Sequence, residues 1–301
     1  MARLTMQELI DRYFLSSDYK VLADKTKTDY RYCMAVLLDT DVEGMPMRDR
    51  VAKTIKGAEA RQAYELWLDR GIYMANHICA VSRKLYSFAM EMGYAETNPF
   101  STFKRKTVKP RKIVWSRDEI TKFLDTAYSE YKYRNIGLIA QMAYEWCQRV
   151  GDMRTLTFDT IDFNRAVLNL EQSKRGATVH LPIEDDLMEM LTQQKEDFGF
   201  QEFVAPYPQP REGVYRPFTM QRLSRYARQV TRLAGLPDEL RIADLRRTGT
   251  TEMVEAGVTM GQIMSVTGHA NPSSVKPYMK NTYSSAESAL TARNIHVKST
   301  L

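Results

Sequence analysis

Twelve consecutive residues, 101–112 (STFKRKTVKPRK), carry six basic side chains and no acid, and they divide the chain. On either side of them apolar residues recur at helical spacing. Within the segment they do not, and Pro110 blocks a continuing helix. A chain of 301 residues interrupted there is expected to fold as two domains joined by the interruption. Residues 1–100 hold 14 Lys/Arg against 14 Asp/Glu, and residues 113–301 hold 23 against 23, so the net charge of +6 sits in this one segment. A strip made of Lys104, Arg105, Lys106, Lys109, Arg111 and Lys112 attracts a polyanion, because each phosphate it neutralises releases condensed counterions. A solvated linker is the plainer reading of the same run.

Before the strip, four groups keep helical spacing: Leu9, Ile10 and Phe14; Tyr30, Cys33, Met34 and Leu37; Tyr64, Trp67 and Leu68; Ile78, Val81, Leu85 and Phe88. Breaks at 41–44 and 70–71 separate them into a bundle of four or five helices. After the strip, Ser116 and Glu119 have the spacing of a capping box. Helices are predicted over 117–128 and 134–148. The period then changes from 3.6 to 2, and 166–171 and 177–182 read as two strands joined by a turn containing Gly176. Helices resume over about 184–195, 218–234, 245–256, 259–267 and 285–293, with Gly235 and Gly257 as C-terminal caps. The fold class is mainly α with a small β-sheet, an α+β arrangement. In the helix over 218–234, Arg222, Arg225, Arg228 and Arg232 fall opposite the apolar side, a face that suits phosphates or plain solvent.

Several chemistries are absent from the sequence. Three scattered cysteines form neither a disulfide framework nor a CxxC pair, which suits a reducing compartment. No signal-peptide core and no membrane-length apolar run occurs. The expected location is cytoplasmic. There is no GxxxxGK[ST], GxGxxG, HExxH or GxSxG motif, and the four histidines form no cluster with metal spacing. The reaction is therefore expected to use no metal and no cofactor.

What remains is an ordered polar set in the second domain: Arg149 and Asp152 in QRVGDM, Lys174 in the hairpin turn, Arg246 in ADLRRT, His269 in TGH, and Tyr278 nine positions later in KPY. This set resembles the catalytic domain of the tyrosine recombinases, the phage-integrase family of site-specific recombinases. The flanking DLRRTGTT and VTGH are similar to that family's helical core, and residues 1–100 to its core-binding domain. The resemblance covers most of the chain. It implies a helical core-binding domain over 1–100, a basic linker over 101–112 and a catalytic domain over 113–301, together forming a C-shaped clamp on duplex DNA. It begins almost at Met1, which implies no further arm-binding domain. It also implies that the tail, 284–301, docks on a neighbouring protomer.

By that resemblance Arg149, Lys174, Arg246, His269 and Tyr278 are the catalytic residues, and Asp152 orients the arginines. The chemistry is coherent. A phosphodiester transition state crowds negative charge onto its non-bridging oxygens, and two guanidiniums can hold it without a metal. A phenol is a poor nucleophile unless cations stabilise its anion. Lys174 would protonate the departing 5′-oxygen, with Arg175 as its rival. Tyr283 is the nearest decoy for the nucleophile. One position departs from the family pattern: Ala243 stands where the first histidine of His-x-x-Arg is usual, which removes one proton-handling group.

The expected function is cleavage and rejoining of DNA strands through a 3′-phosphotyrosyl intermediate. Alternatives are topoisomerase-like relaxation and DNA binding without catalysis. The expected partners are double-stranded DNA recombination sites, further copies of the chain in a tetramer on synapsed DNA, and accessory DNA-bending or directionality proteins. Lys104, Arg105, Lys106, Lys109, Arg111, Lys112, Arg222 and Arg225 are the expected DNA contacts.

Overall fold

The computed structural model describes residues 3–174, 176–278 and 283–299, the side chains of 283–285 and 288 excepted. The chain divides into two compact units, Met1–Arg111 and Lys112–Leu301. In the first, Thr5 opens helix α1 (Met6–Leu15): its hydroxyl accepts from the Glu8 amide, and the Glu8 carboxylate accepts from the Thr5 amide. Two orphan N–H groups of the first turn are thereby satisfied. Helices α2 (Ser17–Lys20) and α3 (Asp24–Asp39) follow. A two-residue hairpin of β1 (Asp41–Val42) and β2 (Met45–Pro46) then leads to α4 (Gly57–Trp67) and α5 (Ile72–Glu91).

The helical spacing read from sequence is what packs this unit. Leu9, Ile10, Cys33, Met34, Leu37, Tyr64, Trp67, Ile78 and Leu85 are buried in one cluster. Trp67 stacks on Phe100 with ring centroids 6.0 Å apart, and its Nε1 donates to Thr40 Oγ1 at 2.7 Å. The indole is thus buried without losing its hydrogen bond. Removing such an aromatic side chain costs about 3–5 kcal/mol.

The basic strip starts inside this unit. Arg83 donates to the carbonyls of Phe100 and Phe103 at 2.6 and 3.2 Å. The Lys106 amide donates to Tyr64 Oη at 2.8 Å, and its carbonyl accepts from Asn76 at 2.9 Å. Residues 101–106, read from sequence as the start of a linker, are therefore bonded to α4 and α5. Phe103, packed 5.4 Å from the Tyr64 ring, supplies the apolar anchor.

In the second unit Ser116 and Glu119 form the expected capping box at the head of α6 (Arg117–Tyr128). Next comes α7 (Tyr131–Glu145), whose Ile136, Leu138, Ile139, Ala140 and Met142 are buried. The structure departs from expectation at its end, because the helix stops at Glu145 rather than 148. Cys147 adopts a left-handed φ of 50°. Gln148 is fully buried, donating to the carbonyls of Trp146 and Val266 at 2.8 and 2.7 Å. These bonds satisfy the buried side-chain amide of Gln148. A short helix α8 (Val150–Met153) restarts with Arg149 at its N-cap.

Three antiparallel strands follow in the order β3 (Ile161–Asp162), β4 (Val167–Glu171), β5 (Thr178–Pro182). Leu168 opposes Leu181 and Leu170 opposes Val179, all four buried, so one face of the hairpin is turned inward. The two-residue β3 is too short to show alternation in the sequence. Then come α9 (Asp185–Phe198), α10 (Met220–Leu233), α11 (Leu245–Glu255), α12 (Met260–Thr267) and α13 (Tyr283–Ser299). The last runs to Ser299 instead of 293. Helix α11 packs on the end of α7 through Gly249, where a β-carbon would lie 2.6 Å from Cys147 Sγ and 2.8 Å from the Tyr144 carbonyl. Among the described residues no helix is long and apolar enough to cross a membrane.

Candidate active site

The break between α7 and α8 aims Arg149 at the hairpin turn. Its Nη1 donates to Gln172 Oε1 at 2.8 Å and lies 3.7 Å from Asp152 Oδ2, one turn along α8. Asp152 is buried, and its Oδ1 accepts from the Ser173 amide at 3.3 Å and from the Ser173 hydroxyl. One carboxylate therefore joins the guanidinium to the turn that carries Lys174. Lys174 itself is exposed.

Arg246 comes from the first turn of α11, so its stem is fixed by the helix that Gly249 seats against α7. Its Nη2 donates to the Thr267 carbonyl at 2.8 Å and to His269 Nε2 at 3.1 Å. Gly268, between them, ends α12 with a left-handed φ of 66°, and a β-carbon there would lie 2.5 Å from Gln172 Nε2. Backbone conformation and close packing both demand glycine at this point. Tyr278 is half-buried, its ring 6.4 Å from that of His269, with the guanidinium of Arg247 4.9 Å over its face. Arg149, Asp152, Arg246, His269 and Tyr278 thus meet at one place.

The electrostatics of that place are unbalanced. Arg246 is 7% exposed. Its guanidinium is pulled down to about 10, first by burial and next by the positive charge of Arg149, while Tyr278 acts in the opposite sense. Its Nη1 is buried with no hydrogen-bond partner. A buried, unpaired donor beside a repelling cation is costly. An anion seated between the two guanidiniums would satisfy the donor and offset the repulsion, and a phosphodiester offers paired oxygens of the right geometry.

Other expected residues lie elsewhere on the two units. Lys104, Arg105, Lys106, Lys109, Arg111 and Lys112 are exposed, and Arg105 also donates to the Asn76 carbonyl at 3.1 Å. Arg222 and Arg225 are exposed on α10 and line a cavity of 670 Å³ with Arg211 and Arg216, without an acid among its lining residues. Sequence reading missed Arg211 and Arg216, which sit outside any periodic element. Arg232, on the same helix face, is held by Asp238 at 2.9 Å. Arg175 and the side chain of Tyr283 fall outside the described residues. Ala243 lies on the turn before α11 and is exposed.

Gln172 and Gln148 are the site residues that sequence reading did not find. Gln172 Nε2 donates to Gln148 Oε1 at 2.6 Å and to the Thr267 carbonyl at 2.8 Å. Uncharged carboxamides carry no charge signal, and their burial is a tertiary fact. One further cluster escaped the sequence reading: Asp29 and Cys33 on α3 and His77 on α5 bring ligand atoms within 4.8 Å of one another. His77 Nε2 lies 2.5 Å from Asp29 Oδ2, and burial pushes the Cys33 thiol up to about 12. The trio is a His–Asp hydrogen bond beside a buried core cysteine.

The chain belongs to the phage integrase family, whose profile matches residues 114–285. The fold is similar to that of a lambda integrase dimer bound to a COC′ core site (21% identity, TM-score 0.75, covering 93% of this chain and 97% of that one). It is also similar to a Tn1549 transposon integrase in complex with circular intermediate DNA (15% identity, TM-score 0.76, 95% and 99%). A third similar structure is a lambda integrase tetramer bound to a Holliday junction (20% identity, TM-score 0.73, 93% and 78%). No curated protein matches the chain by sequence.

Proposed function

We propose that the protein is a site-specific DNA recombinase that cuts and rejoins strands through a 3′-phosphotyrosyl intermediate. The observation that carries this reading is the buried, unpartnered Nη1 of Arg246, whose guanidinium feels both the positive charge of Arg149 and the hydroxyl of Tyr278. In the proposed step Tyr278 Oη attacks the scissile phosphorus and the bond to the 5′-oxygen breaks. His269 Nε2 takes the phenol proton once Arg246 turns its N–H groups to the phosphate, and Lys174 protonates the leaving 5′-oxygen. Arg149 and Arg246 stabilise the charge that develops. The phosphotyrosyl ester keeps the phosphodiester's bond energy, so rejoining needs no ATP, and the guanidiniums do the work that a metal does in other phosphoryl-transfer sites.

Phosphate contacts by the strip (Lys104, Arg105, Lys106, Lys109, Arg111, Lys112) and by Arg222 and Arg225 would supply affinity for duplex DNA. The tail helix α13 bears exposed Leu290 and Ile295, which favours docking on a second copy of the chain in a DNA-bound tetramer. Ala243 favours a second reading, DNA binding with weak or no catalysis, because that position offers no proton-handling side chain.

The two readings part on a nicked suicide substrate, from which the cleaved strand end diffuses away. A covalent protein–DNA adduct that forms in EDTA and is lost in Tyr278→Phe supports recombinase chemistry. Tight binding without any adduct supports the second reading.

A further inference from the structure

We propose that Gln172 is a positioning residue for Arg149, the joint that sets this guanidinium in register with the Thr267–His269 corner. The inference rests on the phosphoryl-transfer reading above. Gln172 is the point where three separately encoded segments touch. Its side chain is fully buried. The Oε1 accepts from Arg149 Nη1 at 2.8 Å, and the two Nε2 hydrogens go to Gln148 Oε1 at 2.6 Å and the Thr267 carbonyl at 2.8 Å. The partners fix which way the amide faces, since Arg149 can only donate and a carbonyl can only accept.

Its backbone is engaged as well. The Gln172 amide donates to the Ala177 carbonyl and its carbonyl accepts from the Gly176 amide, both at 2.9 Å, which closes the turn bearing Lys174. Glycine at 268 makes room for this arrangement, because a β-carbon there would lie 2.5 Å from Gln172 Nε2.

The chemistry of the side chain matters as much as its place. A glutamine holds Arg149 without adding a second carboxylate to that of Asp152, so more of its charge stays available to a phosphate. Glutamate of the same shape would face two acceptors, Gln148 Oε1 and the Thr267 carbonyl, and would spend the charge of Arg149. Leucine would fill the volume and hold nothing.

The test compares wild type, Gln172→Leu, Gln172→Glu and Lys174→Ala for duplex binding, thermal melting and single-turnover adduct formation on the nicked substrate. The same measurements use a second substrate with sulfur in place of the bridging 5′-oxygen. Sulfur leaves without a general acid, so it rescues a leaving-group defect and leaves an arginine defect in place. Both Gln172 variants are expected to bind DNA within about twofold of wild type and to form adduct about 10²-fold more slowly. Sulfur should restore Lys174→Ala and leave the Gln172 variants slow. The proposal is overturned if the Gln172 variants cleave within about twofold of wild type, if sulfur rescues them as fully as it rescues Lys174→Ala, or if both lose melting cooperativity and binding together, which marks a purely structural role. If wild type forms no adduct at all, the phosphoryl-transfer reading fails and takes this inference with it.

Discussion

The Nε2 of His269 accepts a hydrogen bond from Arg246 Nη2 at 3.1 Å, and Thr267 fixes its direction. The Thr267 hydroxyl donates to the Ile263 carbonyl at 2.7 Å, so it is left to accept from His269 Nδ1, also at 2.7 Å. The ring therefore carries its hydrogen on Nδ1 and turns a lone pair toward the guanidinium. Replacing His269 by alanine takes an acceptor from Arg246 and the proposed base from Tyr278. Adduct formation is expected to fall about 10²-fold, with DNA affinity changed by less than about threefold. An alanine variant that cleaves like wild type would remove His269 from the mechanism.

Asp152 acts on both sides of the site, near Arg149 at 3.7 Å and bonded to Ser173 in the Lys174 turn. Asp152→Ala strands those donors and is expected to lower stability by about 1–3 kcal/mol and cleavage by about 10- to 100-fold. Asp152→Asn keeps an acceptor and should lie between. Urea denaturation and single-turnover cleavage measure the two effects separately, and an unchanged rate in the alanine variant contradicts the assignment.

Neutralising Lys104, Arg105 and Lys106 together should weaken binding to every duplex sequence alike. The log–log salt dependence should flatten by about 0.9 for each phosphate that the strip no longer neutralises. Fluorescence anisotropy titrations over a range of salt supply the slope. A slope equal to that of wild type would mean that the strip does not touch phosphates.

Burial pushes the thiols of Cys33 and Cys147 up to about 12 and raises that of Cys79 as well. The sign follows directly: at about pH 8 each is a protonated thiol, and the thiolate that reacts is scarce. A disulfide reagent should label the native protein slowly and all three cysteines at once in denaturant. Fast labelling of native Cys147 would contradict the packing of α7 against α11, and fast labelling of Cys33 or Cys79 the packing of α3 and α5.

Much of this was legible because charge and period are local. The capping box at Ser116, the hairpin of β4 and β5 and the arginine face of α10 can be read from neighbouring residues, and the ordered set from Arg149 to Tyr278 from its resemblance to the tyrosine recombinases. What could not be read depends on distant partners. The stop at Glu145 has no glycine or proline to announce it. Cys147 turns left-handed where α11 crowds it, and Gln148 is fixed by the Val266 carbonyl. Gln172 gains its meaning only when Arg149, Thr267 and Gln148 arrive around it. The two-residue strands β1, β2 and β3 span a single period of the pattern that would reveal them.

The proposed reaction requires Tyr278 to become covalently bound to DNA. The direct measurement is to trap the adduct on a nicked duplex, digest protein and DNA, and locate the nucleotide by mass spectrometry. The expected product is a nucleotide joined through its 3′-phosphate to the oxygen of Tyr278. Attachment at another residue, or through a 5′-phosphate, would contradict it.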